Sequence, residues 1–298
     1  MLRSLATSRP ARQSRARQPM TLEIIQSPSP NFNDRLRPIR FVVLHYTGMN
    51  SADGALRVLS DPLPQRVAYL SEIPPNPLLV DGRPADRVLV ASPMSKVSSH
   101  YLAYEDGRMF QLVDEAKRAW HAGGGTWDGE TDLNSSSIGI EIANGGYDFG
   151  LPEFPEAQIQ SVMTLVRGIM DRHGLDRHHV IGHSDLAPTR KPDPGPKFPW
   201  QRLAAEGLSI WPKPAPEDGD QRVLFDTIGT MDERISAIQT GLGTIGYGLT
   251  VNGPYDAWLK DIIRAFQRRF RQSKTDGIID VETVSLIGRV VAILRQPV

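Results

Sequence analysis

The sequence predicts an α/β protein with a central mixed β-sheet flanked by helices, followed by a small three-helix C-terminal domain. Three observations carry this. Apolar runs or alternations at 40–46, 98–104, 109–113, 136–142 and 180–183 read as strands. Between the last two, Ile159, Val162, Met163, Val166, Ile169 and Met170 recur at helical spacing, with His173 in the last turn and Gly174 as the stop. A further helix is expected over 52–59. Beyond a stretch holding Pro212, Pro214 and Pro216, helical patterns at 231–245, 255–271 and 281–294 are broken by Gly246, Gly248, Gly253 and Gly277.

At 298 residues and 40% hydrophobic, the chain can bury a sizeable core and divides into two domains. The expected plan is a disordered basic tail over 1–20, a chemistry-bearing domain over 21–210 with a proline-rich surface insert at 62–93, a linker over 211–222 and the helical domain over 223–298. Thirty-four basic residues against thirty-four acidic ones exert no net pull on nucleic acid, which is not expected as a partner. Cysteine is absent, so any metal must sit on His, Asp or Glu. No apolar run approaches the roughly 20 residues of a membrane-spanning helix, so no transmembrane segment is expected. Residues 1–20 carry five arginines, no acid and no apolar signal core, which favours the cytoplasm over the periplasm or envelope; Met20 is a second candidate start. Nothing in the pattern specifies an oligomer.

All seven histidines lie between His45 and His183, so metal chemistry belongs to the first domain. A catalytic zinc site keeps three protein ligands and one open position, and His45, His183 and Asp193 would fill the three. His179 and His183 are four apart in a strand-like run, which spans about 13 Å, so only one can serve, and His183 at the strand's end is better placed. Asp185 competes with Asp193, and spacing alone leaves both open. Prolines 188, 192, 194 and 196 restrict the loop and favour Asp193. Glu141 interrupts an otherwise apolar strand, where a raised pKa would suit a general base; the bland alternative is an outward-facing edge residue. Lys191, two residues from Asp193, would stabilise an oxyanion, or is a solvated surface lysine.

Five ordered segments resemble successive signatures of the zinc-dependent N-acetylmuramoyl-L-alanine amidases of the type-2 family: VVLHYTG at 42–48, SSHYLAYEDGRMFQLV at 98–113, AWHAG at 119–123, NSSSIGIEIAN at 134–144 and GHSDLAPTRKPDPG at 182–195. The likeness covers about residues 21–205 and extends to peptidoglycan recognition proteins and phage amidases, which share the fold. It implies that His45, His183 and Asp193 hold zinc, that Glu141 is the catalytic glutamate and Lys191 the oxyanion-stabilising lysine, and that His100, His121 and Asn144 contact substrate. Trp120 falls in the same motifs. The implied reaction is hydrolysis of the amide between N-acetylmuramic acid and L-alanine in peptidoglycan or its muropeptide fragments. A non-catalytic peptidoglycan receptor is the alternative, though a pure binder needs neither an open metal nor a base.

The segment 63–92 has no counterpart in that family pattern. The last 75 or so residues resemble a three-helix peptidoglycan-binding domain, through Gly253, Tyr255 and Asp256, then Ala265-Phe266-Gln267, then Asp276-Gly277 leading to Thr283. There, Phe266 and Phe270 read as core, and Arg264, Arg268 and Arg271 as a solvated basic stripe.

Overall fold

The computed structural model describes residues 22–69, 79–80, 83–84, 89–93, 95–251 and 253–296. The expected tail over 1–20 and part of the insert lie outside these residues.

Six strands form the central sheet in the spatial order Ile24–Gln26, Met109–Gln111, Tyr101–Ala103, Ser137–Ile142, Phe41–Tyr46, Val180–Gly182. All neighbours run parallel except Tyr101–Ala103 with Met109–Gln111, so the sheet is mixed, as expected. Phe41–Tyr46 lies between two parallel partners and is covered on both faces, which is why it reads as an unbroken apolar run.

Side-chain alternation then divides the sheet's two faces. On one, Val42, Leu44, Ile138, Ile140, Ile142 and Val180 pack against Ile159, Val162, Val166 and Ile169 of the helix Glu156–His173. Gly174 ends that helix in the left-handed region at φ 63°, its N–H bonded to Met170 O. The other face carries Phe41, Val43 and Ile181. His45 and Glu141 follow in the same alternation, and their Cα atoms are paired in register. The last strand is shorter than expected: it stops at Gly182, and His183 opens the one-turn helix His183–Leu186.

The insert is more regular than its proline content suggests. Among the described residues, Gln65–Tyr69 pairs antiparallel with Leu89–Pro93, and Leu79–Val80 with Arg83–Pro84.

Three helices, Glu233–Ile245, Ala257–Phe270 and Val281–Leu294, form the C-terminal part, and Asp232, Asp256 and Asp280 cap their N-termini. Phe266 and Phe270 are core residues, as expected. The arginine stripe is not solvated throughout: Arg271 is 3% exposed and paired with Asp280 at 2.8 Å and Glu282 at 2.6 Å. These helices cover the face of the sheet that carries His45 and Glu141. One apolar cluster joins Phe41, Val43, Ile181 and Leu186 to Leu242, Phe266 and Phe270. The proline-rich segment before them is also tied down, since Arg289 bonds both Lys213 O and the Asp218 carboxylate.

Candidate active site

His45, near the C-terminal end of its strand, meets two partners from the segment beyond the neighbouring strand Val180–Gly182. Its Nδ1 lies 2.8 Å from His183 Nδ1 and 3.2 Å from Asp193 Oδ2, and the latter two are 2.9 Å apart. All three residues are buried. The Ser184 N–H donates to Asp193 O at 2.8 Å and folds the proline-rich loop back over the strand end. Tetrahedral zinc, with bonds of about 2.0–2.1 Å, holds neighbouring ligand atoms on the order of 3.3 Å apart, close to this spacing. Among the described residues this is the one His/Asp/Glu group arranged to hold a metal ion.

The outer nitrogens set the inner ones. His183 Nε2 donates to Ala122 O at 3.0 Å and His45 Nε2 meets His121 Nδ1 at 3.0 Å, an arrangement that leaves both Nδ1 atoms free for a metal. Burial, and then the neighbouring His183, lowers the His45 pKa to about 4, so the imidazole is neutral near pH 7, as a ligand must be. Burial alone would raise the Asp193 carboxyl, but His183 and His45 outweigh it and hold the group well below the usual carboxylate range. Two imidazole nitrogens and one carboxylate oxygen suit zinc.

Glu141 stands on a central strand rather than an edge, beside His45 and on the same face. Its Oε2 is shielded from solvent and has no hydrogen-bond partner. Burial, and then the charge of Asp193, pushes this carboxyl well above its ordinary range, while Lys191 pulls the other way. The Lys191 charge also lowers the pKa of His45, so it acts on both groups.

The three residues expected to contact substrate use their polar atoms inside the fold. His121 is 8% exposed and sits behind His45, and a Cβ on Gly139 would come within 2.4 Å of its ring, so glycine there makes room for it. His100 is fully buried: Nδ1 accepts from the Gly139 N–H at 2.9 Å and Nε2 donates to Lys117 O at 3.1 Å. Burial, and then Arg35, lowers its pKa to about 3. Asn144 donates to Pro152 O at 3.0 Å and accepts from the Gly146 N–H at 2.9 Å, which shapes the loop after the Glu141 strand. Trp120 is half-buried, its indole N–H on Asn33 Oδ1.

Asp185, the rival candidate ligand, is turned away from the His45, His183 and Asp193 group. Oδ1 accepts from Tyr247 Oη at 2.8 Å, and Oδ2 accepts from the Gly182 N–H at 2.8 Å and Arg269 Nη1 at 2.9 Å. Arg269 also donates to Val180 O at 2.9 Å, so a C-terminal helix grips the strand that leads into His183. Sequence reasoning passed over Arg269, Tyr247 and Arg190. Arg190 Nη2 donates at 2.5 Å to Ala122 O, the same carbonyl that orients His183. Only its place next to Lys191 hinted at this.

Residues 35–196 match the model of the N-acetylmuramoyl-L-alanine amidase family, and 231–287 match that of a peptidoglycan binding domain. The chain is 33% identical over 258 residues to the N-acetylmuramoyl-L-alanine amidase AmiD of Escherichia coli K12, covering 83% of this chain and 80% of that protein. A solved complex of E. coli AmiD with anhydro-N-acetylmuramic acid-L-Ala-D-gamma-Glu-L-Lys superposes with a TM-score of 0.66 at 29% identity, over 87% of this chain and 91% of that one. Pseudomonas aeruginosa AmpDh3, solved with an anhydromuramic pentapeptide, superposes at 0.63 and 27% identity, over 88% and 93%.

Proposed function

Because the chain belongs to the N-acetylmuramoyl-L-alanine amidase family, we propose that the buried cluster on its sheet face hydrolyses the amide between the lactyl group of N-acetylmuramic acid and L-alanine in anhydro-muropeptides. His45 and His183, through Nδ1, and Asp193, through Oδ2, would hold zinc. When bound, zinc supplies a Lewis acid for the scissile carbonyl and lowers the pKa of water towards neutrality. Glu141 takes the proton of the attacking water and delivers it to the departing alanine nitrogen, a double role that its raised pKa favours. Lys191 faces the oxyanion of the tetrahedral intermediate. His121 acts through His45, and His100 and Asn144 through the loops that they brace.

The observation that carries this reading is the in-register pairing of Glu141 with His45, which sets an unpartnered carboxylate oxygen on the same face as three converging ligand atoms. A receptor has no use for that oxygen, since leaving it bare at a buried site costs stability without adding affinity. Mass spectrometry after incubation of the zinc-loaded protein with anhydro-muropeptide tests it. Stem peptide with a free L-alanine amine is expected; cleavage at any other bond overturns the assignment.

Two finer points belong to the same proposal. Residues 21–210 and 223–298 are taken as the catalytic and peptidoglycan-binding-like parts. The described residues include no helix long and apolar enough to cross a membrane. The cytoplasm is taken as the site of action because soluble anhydro-muropeptides are the proposed substrate. Recovery of active enzyme only from the envelope fraction would overturn that location.

A further inference from the structure

Alternation along the strand Ser137–Ile142 sends Ile138, Ile140 and Ile142 into one core and leaves Ser137, Gly139 and Glu141 on the face that carries His45. Glu141 stands beside His45, and Gly139 leaves room for the His121 ring. Ser137 is fully buried, where a hydroxyl costs stability unless it is bonded.

Its two contacts have a fixed direction. The Ser137 hydroxyl donates to Leu133 O, a carbonyl with no proton to give back. The same hydroxyl oxygen lies 3.4 Å from His121 Nε2, so towards the ring it can only accept. His121 then carries its proton on Nε2, and a neutral imidazole protonated there is an acceptor at Nδ1. That Nδ1 is the atom 3.0 Å from His45 Nε2. His45 in turn donates from Nε2, which leaves its Nδ1 bare beside His183 Nδ1 and Asp193 Oδ2. The neighbouring His100 meets the His121 ring edge to face at 5.6 Å, but its own nitrogens are taken by the Gly139 N–H and Lys117 O.

The backbone around this chain of bonds is held from the same turn. Asn134 Oδ1 accepts from the His121 N–H at 2.9 Å and the Ala122 N–H at 2.7 Å, and Ala122 O is the acceptor of His183 Nε2. The outer nitrogens of both histidines thus lead back to the segment 133–137, one through Ser137 and the other through Asn134.

We propose that Ser137 is a positioning residue that selects the metal-binding tautomer of His45, acting through His121. Three acceptors then converge in a buried site, an arrangement that a divalent cation satisfies. Without the hydroxyl, the Nε2 proton of His121 has no acceptor, and the ring is free to protonate at Nδ1 and donate to His45 Nε2 instead. The His45 proton would then sit on Nδ1, where zinc has to displace it. The proposal rests on the reading of His45, His183 and Asp193 as zinc ligands, although the tautomer of His121 exists without the ion.

Imidazole nitrogen-15 NMR of the full-length, metal-free protein reads that tautomer, and competition with a chelator reads zinc affinity. In wild type, His121 is expected to carry its proton on Nε2. Ser137→Ala should move His121 towards the Nδ1–H form and weaken zinc binding about tenfold. Ser137→Thr, which keeps the hydroxyl, should restore both readouts. A wild-type His121 protonated on Nδ1 would overturn the proposal, and that spectrum needs no variant to fold. So would Ser137→Ala with the wild-type tautomer and zinc affinity, the result expected if the hydroxyl only closes the Leu133–Ser136 helix. Equal loss of both readouts in the Thr and Ala variants would also overturn it, since the hydroxyl would then not be what matters. A wild type with His121 protonated on Nε2 that takes up no zinc would instead strike the reading of the ligands and leave the bond from His121 to Ser137 in place.

Discussion

Glu141 and Asp185 are two carboxylates from the strands that flank Phe41–Tyr46, one on its strand and one just beyond, and their surroundings are opposite. Asp185 receives three donors, from Tyr247, Gly182 and Arg269, and its charge is matched by a guanidinium as deeply buried as itself. Glu141 keeps one shielded oxygen with no donor at all. Burial costs both groups solvation; in one case partners offset that cost, in the other nothing does. The bare carboxylate is the one beside His45 and the proposed metal group, where an unsatisfied acceptor is what proton transfer needs. The satisfied one joins the two halves of the molecule. A buried polar residue is therefore best classified by the partners it lacks rather than by its burial.

Replacing each carboxylate's function separately should split activity from stability. Glu141→Gln is expected to lower kcat by about 10²–10⁴-fold while zinc content stays at one per chain; near-normal turnover would remove Glu141 from the general-base role. Arg269→Met should do the converse. Leaving Asp185 without its cation costs about 3–5 kcal/mol, read as a lowered denaturant midpoint, and adding Asp185→Leu should recover part of the loss. An unchanged midpoint in Arg269→Met would mean that the ion pair holds nothing together.

A smaller effect separates support from ligation. His121→Ala takes away the partner of His45 Nε2 and should weaken zinc binding about 10–100-fold in a chelator competition, whereas Asp185→Asn should leave zinc affinity unchanged. The reverse pattern would restore Asp185 as a ligand.

The subtlest test is pH. Because the folded pKa of Glu141 is raised, its contribution to the stability of the metal-free protein is present below the unfolded value and is lost as pH rises through the folded one. Metal-free Glu141→Gln should therefore gain on wild type as pH increases in thermal melts. A constant difference across pH would mean that Glu141 ionises freely in the fold.

What could be read from the sequence was local. The apolar run into His45 announces a doubly covered parallel strand, and Glu141 stands out because charge is rare there. The stop at Gly174 and the Val281–Leu294 helix follow from nearest-neighbour chemistry. The fate of Asp185 was not legible, since its partners Tyr247 and Arg269 lie 62 and 84 residues away and look like ordinary helix and turn residues. His121 and His100 misled for a related reason. Their place within family motifs marks them as near the site, but only the fold shows that their ring nitrogens face inward. The proline-rich insert hid its strand pairing because proline lowers strand propensity on average, while edge positions tolerate it.

The central claim is that one ion is shared by His45 Nδ1, His183 Nδ1 and Asp193 Oδ2, and anomalous diffraction at the zinc edge from crystals of the zinc-loaded full-length protein tests it most directly. The account predicts a single strong peak at about 2.0–2.2 Å from those three atoms, with the fourth position not taken by protein. A peak on Asp185, or on the outer nitrogens of the histidines, would contradict it.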